Sequence, residues 1–241
     1  MFSLCALVVA SADVSNIPPG DKKPLVLQWQ TILMDCFYSP KSKVKAKSKS
    51  TKERNVERAD SLRNAPPHDF CEWISVRCVE WIVVEVDHRD RHDKLMDIHV
   101  LPPTVEYICL TKCSLRYELH TRALPRTLKH CMVHCNLLYG SVGLRTLPDH
   151  LVNLHLAMNR LVGPVDLTEL PRNLETLSLY HNCIRQSVIF FGQLPPNLIY
   201  IWFNYRGGTN HVGELRGTST ENVERLGEML PGISLKHIHI E

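Results

Sequence analysis

Apolar and polar positions along the second half of the chain repeat with a period too long for a single helix or strand. The pair Leu-Pro recurs at Leu101, Leu124, Leu147, Leu170 and Leu194, at intervals of 23, 23, 23 and 24 residues. Four residues after each leucine stand Val105, Leu128, Leu151, Leu174 and Leu198. Seven on are Ile108, Cys131, Leu154, Leu177 and Ile201, and nine on are Leu110, Val133, Leu156, Leu179 and Phe203. Alternation at offsets seven and nine predicts a short strand with one buried face in every copy. Twelve on come Cys113, Asn136, Asn159 and Asn182, with Arg206 breaking the series. An asparagine there turns the chain out of the strand, and its amide can bond backbone groups of neighbouring turns. One such unit cannot bury its apolar face alone, whereas stacked units can. The register predicts parallel strands centred near residues 82–86, 107–111, 130–134, 153–157, 176–180, 200–204 and 237–239.

Four copies of LxxLxLxx(N/C)xL in register resemble the leucine-rich repeat family over residues 79–241. That resemblance implies an α/β solenoid with a curved parallel sheet on the concave side and an irregular or short helical convex side. The second half of each copy carries Val142 and Leu144, Val165 and Leu167, and Val188 and Phe190, which are expected along the convex side. With Gly140 and Gly163 it resembles the plant-receptor type of repeat, although Gln186 replaces the glycine in the next copy. The last units depart from the pattern. Arg206-Gly207-Gly208 predicts an irregular loop, Thr218 to Glu221 a helix start with a capping box, and Val223, Leu226 and Leu230 a short amphipathic helix. Leu235, Ile238 and Ile240 predict a final strand whose exposed edge invites pairing with another chain.

Upstream, Cys71-Glu72-Trp73-Ile74-Ser75-Val76-Arg77-Cys78 reads CxWxxVxC. It resembles the cysteine-flanked N-terminal caps of plant receptor-type repeat proteins and of kinetoplastid surface antigens. The resemblance implies a cap over residues 13–78, a Cys71–Cys78 disulfide, and a leading helix from Leu25 to Tyr38. Leu25, Trp29, Ile32, Leu33 and Cys36 would share one side of that helix. Ile82, Val84 and Val86 would form the first strand.

Composition adds little: 44% of residues are hydrophobic and 22% charged, with a formal charge of +3. The charge is unevenly spread. Lys41, Lys43, Lys45, Lys47, Lys49, Lys52, Arg54 and Arg58 face only Glu53 and Glu57, so residues 41–58 carry +6. This segment predicts a solvated loop. Nucleic acid or another acidic surface is the partner it would suit. Residues 1–12 combine a short apolar core with a small-x-small site at Ala10-Ser11-Ala12, the form of a secretory signal peptide, but no basic residue precedes the core. Secretion is therefore weighed against a cytoplasmic or organellar complex. This largely apolar stretch of eleven residues, 2–12, is too short to cross a bilayer.

No Walker loop, GxSxG elbow, HExxH or CxxC pair occurs, so no enzyme activity or cofactor is expected. The repeat register instead names the outward residues of the concave sheet: Tyr107, His130, Met132, His155, Tyr180, Tyr200, Trp202 and Tyr205. Aligning Ile238 with offset seven adds His237 and His239. Aromatic residues there suit a protein partner. His130, His134 and His155 stand at different heights and do not converge on a zinc geometry. The expected function is protein–protein interaction through this face. The alternative is a structural subunit of a large intracellular assembly, such as a ribonucleoprotein, held by the lysine loop and the terminal strand.

Overall fold

Each repeat contributes a strand whose middle residue points into the core, and these strands lie side by side in parallel. Ile108, Cys131, Leu154, Leu177 and Ile201 are cross-strand partners and all are buried. The computed structural model describes residues 25–38, 70–92, 96–204, 208–217, 223–231 and 233–240. Residues 1–12, the lysine run with Lys41, Lys43, Lys45, Lys47 and Lys49, the capping-box segment and Tyr205 lie outside them.

The main sheet holds β1 (Val76–Val79), β2 (Ile82–Arg89), β3 (Tyr107–Thr111), β4 (His130–Met132), β6 (Asn153–His155), β8 (Thr176–Ser178) and β10 (Tyr200–Trp202), in that spatial order. From β2 onward every pairing is parallel. Two smaller sheets line the opposite side. One pairs β5 (Tyr139–Ser141) with β7 (Arg160–Val162). The other has β9 (Arg185–Phe191) and β12 (Ile238–Ile240) flanking β11 (His211–Gly217). The chain is thus an α/β solenoid, two strand layers enclosing one continuous leucine-rich core.

The asparagines at the turn offset are buried and bonded. Asn136 Oδ1 accepts the backbone N–H of Cys113 (2.9 Å) and of Leu115 (3.1 Å), while its Nδ2 donates to the carbonyl of Leu110. Asn159 repeats this with the N–H of Leu138 and the carbonyl of Val133, and Asn182 with Leu161 and Leu156. Each amide thus joins its own turn to the preceding repeat, supplying partners that buried backbone groups require.

At the front end α1 (Leu25–Phe37) lies over the first strands. Among its described side chains the buried ones are Gln30, Met34 and Phe37, rather than the expected Trp29, Ile32, Leu33 and Cys36; Ile32 is 48% exposed. The cause is Gln30. Its Oε1 accepts the Val83 N–H at 2.6 Å and its Nε2 donates to the Trp81 carbonyl at 3.1 Å. A polar residue thus faces inward because it satisfies sheet backbone. The Cys71–Cys78 disulfide closes across 5.6 Å between Cα atoms. Cys78 belongs to β1, an antiparallel partner of β2 that the hydrophobic pattern did not predict. A bulge opposite Arg77 and Cys78 shifts the alternation in β2, so Val83 and Val86 are buried while Ile82 and Val84 are half-buried.

On the far side one repeat departs from the others, and one expectation is corrected. In the fourth repeat the buried convex residues are Ile189 and Phe191, while Phe190 is 56% exposed. This repeat spans 24 residues, and the extra one moves the inward positions by one. At the C-terminal end β12 pairs with β11, not with β10. Helix α2 (Val223–Met229) packs against both β10 and β12 and buries Leu226 and Met229. The helix, rather than a strand, stands beside the last strand of the main sheet.

Candidate functional site

Cross-strand register sets the outward side chains of the main sheet in columns. Glu85, Tyr107, His130, Asn153, Thr176 and Tyr200 form one, and Asp87, Cys109, Met132, His155, Ser178 and Trp202 the next. The expected outward residues Tyr107, His130, Met132, His155, Tyr200 and Trp202 therefore share one open face. Tyr180 is two residues past Ser178 on the same side, its ring 5.9 Å from Trp202. His237 and His239 do not join them, because they lie in and beside β12 of the other sheet. The last apolar alternation, Ile238 and Ile240, continues the far sheet through β11 instead of adding a strand to the main one.

The face has three characters along its length. At the β2 end the Arg89 guanidinium clasps the Asp87 carboxylate with two hydrogen bonds, 3.0 and 2.8 Å. At the β10 end the Tyr200 and Trp202 rings stack at 4.8 Å and 25°. With Tyr180 they make a half-buried aromatic cluster. Aromatic pairs in such contact gain about 0.5–1.5 kcal/mol beyond their buried area.

Between these ends lies a polar wire that the column assignment alone did not reveal. His155 Nε2 is 3.1 Å from Thr176 Oγ1, the Thr176 hydroxyl donates to Asn153 Oδ1 at 2.5 Å, and Asn153 Nδ2 is 2.9 Å from His130 Nδ1. Thr176 is 7% exposed. Its hydroxyl hydrogen is committed to Asn153, so its lone pair accepts from His155 Nε2–H. The Asn153 amide then donates to a bare His130 Nδ1. The wire thus fixes both tautomers: His130 carries its proton on Nε2, and so does His155.

Burial holds the His155 imidazole below the usual histidine range, with His134 nearby adding to the effect. His134 is lowered by burial, then by Lys112 and Arg89, and its Nδ1 is buried without a partner. Tyr107, whose ring lies 5.9 Å from His130, is raised by burial first. Burial pushes the thiol of Cys131 up to about 12 and that of Cys113 up to about 11, so both stay protonated. Among the described residues no three His, Cys, Asp or Glu side chains cluster to hold a metal ion. No helix among them is long and apolar enough to cross a membrane.

One ladder residue escaped the sequence pattern. Asn210, sixteen residues after Leu194 rather than twelve, is buried and does what Asn182 does one repeat earlier. The Asn beyond Arg206-Gly207-Gly208 was the only available signal, and the displaced offset hid it.

No family model matches the sequence, and no curated protein matches it either. Solved structures do match. The LRR ectodomain of the receptor kinase SOBIR1 from Arabidopsis thaliana aligns at 20% identity, over 61% of this chain and 87% of that one, with a TM-score of 0.48. A plant ice-binding protein aligns at 16% identity, over 72% of this chain and 69% of that one, with a TM-score of 0.40.

Proposed function

We propose that the chain is a non-enzymatic protein-interaction module that receives a protein partner on the open face of its main sheet. The observation that carries this reading is the cluster of Tyr180, Tyr200 and Trp202. The core beneath is already filled by Leu177 and Ile201, so these large rings are not needed to close it. Half-buried Trp and Tyr side chains on a rigid support lose little entropy on binding and commonly anchor partners. The Asp87–Arg89 pair and the histidine wire would supply the polar surroundings of that anchor.

The test uses the immobilised protein beside a Trp202→Ala variant and an Ile199→Ala variant. Ile199 is exposed, but it lies outside the outward columns. Partners retained by the wild type are identified by mass spectrometry and their affinities measured. Loss of at least about tenfold in affinity, about 1.4 kcal/mol, for Trp202→Ala but not Ile199→Ala supports the reading. Equal binding by both variants, each shown folded by its thermal melt, overturns it.

A further inference from the structure

The left-handed turns beside the asparagine ladder bring two sulfur atoms together. Cys135 and Met158 stand one residue before Asn136 and Asn159, in adjacent repeats, and both adopt positive φ, 57° and 56°. Their turns are tied to one another: the Cys135 N–H donates to the Ala157 carbonyl, and the Asn136 N–H to the Met158 carbonyl. Each ladder amide also binds the backbone of its own turn and of the turn before. The same backbone conformation on two stacked turns sends both side chains the same way. Cys135 Sγ and Met158 Sδ consequently lie 3.4 Å apart.

We propose that Cys135 and Met158 form a two-sulfur site for a soft monovalent cation of the copper(I) and silver(I) class, on the rim of the solenoid. The site lies outside the outward columns of the main sheet and does not depend on the partner-face reading.

The separation suits one ion. A metal ion sits about 2.3 Å from a thiolate sulfur, so two sulfurs on one ion are about 3.3 Å apart at a right angle and about 4.6 Å apart in line. The observed 3.4 Å falls within that interval. Met158 is 47% exposed and Cys135 is partly exposed, so an ion reaches the pair from solvent and the thioether has room to swing outward around it.

The donor types set the class of ion. Thiolate and thioether are soft ligands and select copper(I). Calcium and magnesium require oxygen ligands. Zinc in a protein takes three or four ligands, and among the described residues no three His, Cys, Asp or Glu side chains cluster to supply them. Monovalent copper and silver are content with two. His181 holds the equivalent place in the next turn, but its ring packs against Tyr180 at 5.4 Å and is not counted as a ligand.

Binding exchanges one proton for one ion. The S–H bond of Cys135 breaks, its proton passes to solvent, and the thiolate takes the metal. Met158 contributes a lone pair, and nothing is oxidised or reduced. Burial first holds the Cys135 thiol above its usual range; Lys112 opposes this and Asp90 adds to it. Lys112 and Asp90 are themselves paired at 3.6 Å. Without metal the site is thus a neutral S–H···S contact, and binding tightens as the pH rises.

The experiment labels the methyl groups of the six methionines with carbon-13 in the full chain. Silver nitrate, a redox-inert probe, is titrated in, and alkylation of Cys135 by iodoacetamide is followed in parallel. The Met158 signal is assigned by its absence from Met158→Leu. In wild type the Met158 methyl should shift over the same silver range that protects Cys135, and copper(I) added without oxygen should act likewise. Cys135→Ser should need at least about tenfold more silver for that shift. Met158→Leu, at a half-exposed site that tolerates the change, should need at least about tenfold more silver to protect Cys135. Cys183→Ser, which removes an exposed thiol, should alter neither. An unmoved Met158 methyl, whether Cys135 is protected or stays reactive, overturns the shared site. An equal shift in wild type and in folded Cys135→Ser overturns it too. Zinc chloride moving the methyl at the same concentrations as silver overturns the assignment to a soft monovalent cation.

Discussion

Asn210 Oδ1 accepts the backbone N–H of Ile184 at 3.0 Å, reaching back from the last irregular loop to the turn of the preceding repeat. Its Nδ2 donates to the carbonyls of Leu179 (2.8 Å) and Phe203 (2.7 Å). The ladder of Asn136, Asn159 and Asn182 thus continues through a repeat whose loop is longer. What is preserved is not the spacing but the need of a buried Ile184 N–H for an acceptor.

That need predicts the effect of removing the side chain. Asn210→Leu keeps the volume roughly constant but strips the Ile184 N–H of its acceptor and the Phe203 carbonyl of a donor, at a cost of about 1–3 kcal/mol. Asn182→Leu should cost about the same, because it strands the Leu161 N–H. Asn173→Ala, at an exposed site, should stay within about 0.5 kcal/mol. Urea melts of the three variants check this; equal midpoints for all would remove the ladder's energetic role.

Gly213 and Gly217 allow β11 to lie close against β9. A Cβ on Gly213 would strike the Ser187 carbonyl oxygen, and one on Gly217 the Phe191 carbonyl oxygen, both backbone atoms that cannot step aside. Gly213→Ala should therefore destabilise by about 1–3 kcal/mol through overpacking. Hydrogen exchange should quicken in β9 and β11 before it does in β4 or β6. Unchanged protection in β9 would mean that the strands adjust without strain.

The inward columns were legible because burial in a stacked sheet enforces period two, and the 23-residue register repeats it. The cap was less so. Glu80 and Trp81, which turn the chain from β1 into β2, both adopt positive φ, 49° and 67°. Hairpin turns of that kind are normally marked by Asn-Gly, and Glu-Trp gives no such mark. Lys112, Cys135, Met158 and His181 also share positive φ, 53–57°, one residue before each ladder position. Neither glycine nor asparagine stands at any of the four, so residue type does not announce the left-handed turn. The histidine wire was half legible: the register placed His130 and His155 on one face, but only side-chain geometry shows that Asn153 and Thr176 join them.

Gln30 gives a local prediction. Gln30→Ala strips the Val83 N–H and the Trp81 carbonyl of their partners and should cost about 1–3 kcal/mol. The loss should fall on the cap: α1 and the β1–β2 hairpin should exchange amide protons faster, while β6 and β8 keep their protection. Gln30→Glu retains the acceptor for Val83 but sets a carboxylate against the Trp81 carbonyl, so it should be no milder. A uniform change across the solenoid would contradict a local role.

The cap should also loosen in acid, through His88. This imidazole is 3% exposed, and its Nε2 lies 2.5 Å from the Tyr38 hydroxyl at the end of α1. Its Nδ1 is buried with no partner. Burial first, and Arg91 second, lower its pKa from 6.5 to about 4, against a smaller opposing effect of Asp87. Tyr38 is raised by its own burial, so the phenol stays protonated and offers the histidine no anion. Protonated His88 would need an acceptor for each N–H, and only the Tyr38 oxygen is at hand. The neutral form is therefore the one that fits the fold. In the unfolded chain His88 takes up a proton near pH 6.5, whereas in the folded chain it does so only near 4. Its contribution is complete above about pH 6.5, shrinks as the pH falls, and is gone below about pH 4. The gap corresponds to about 3 kcal/mol over that window. His88→Gln, which can still bond Tyr38, should be less stable than wild type at neutral pH but flatter in its pH dependence. Subtracting the two stability curves isolates His88 from the carboxylates, which titrate in both proteins. Parallel curves from about pH 7 to about pH 4 would show that the buried imidazole is not what acid attacks.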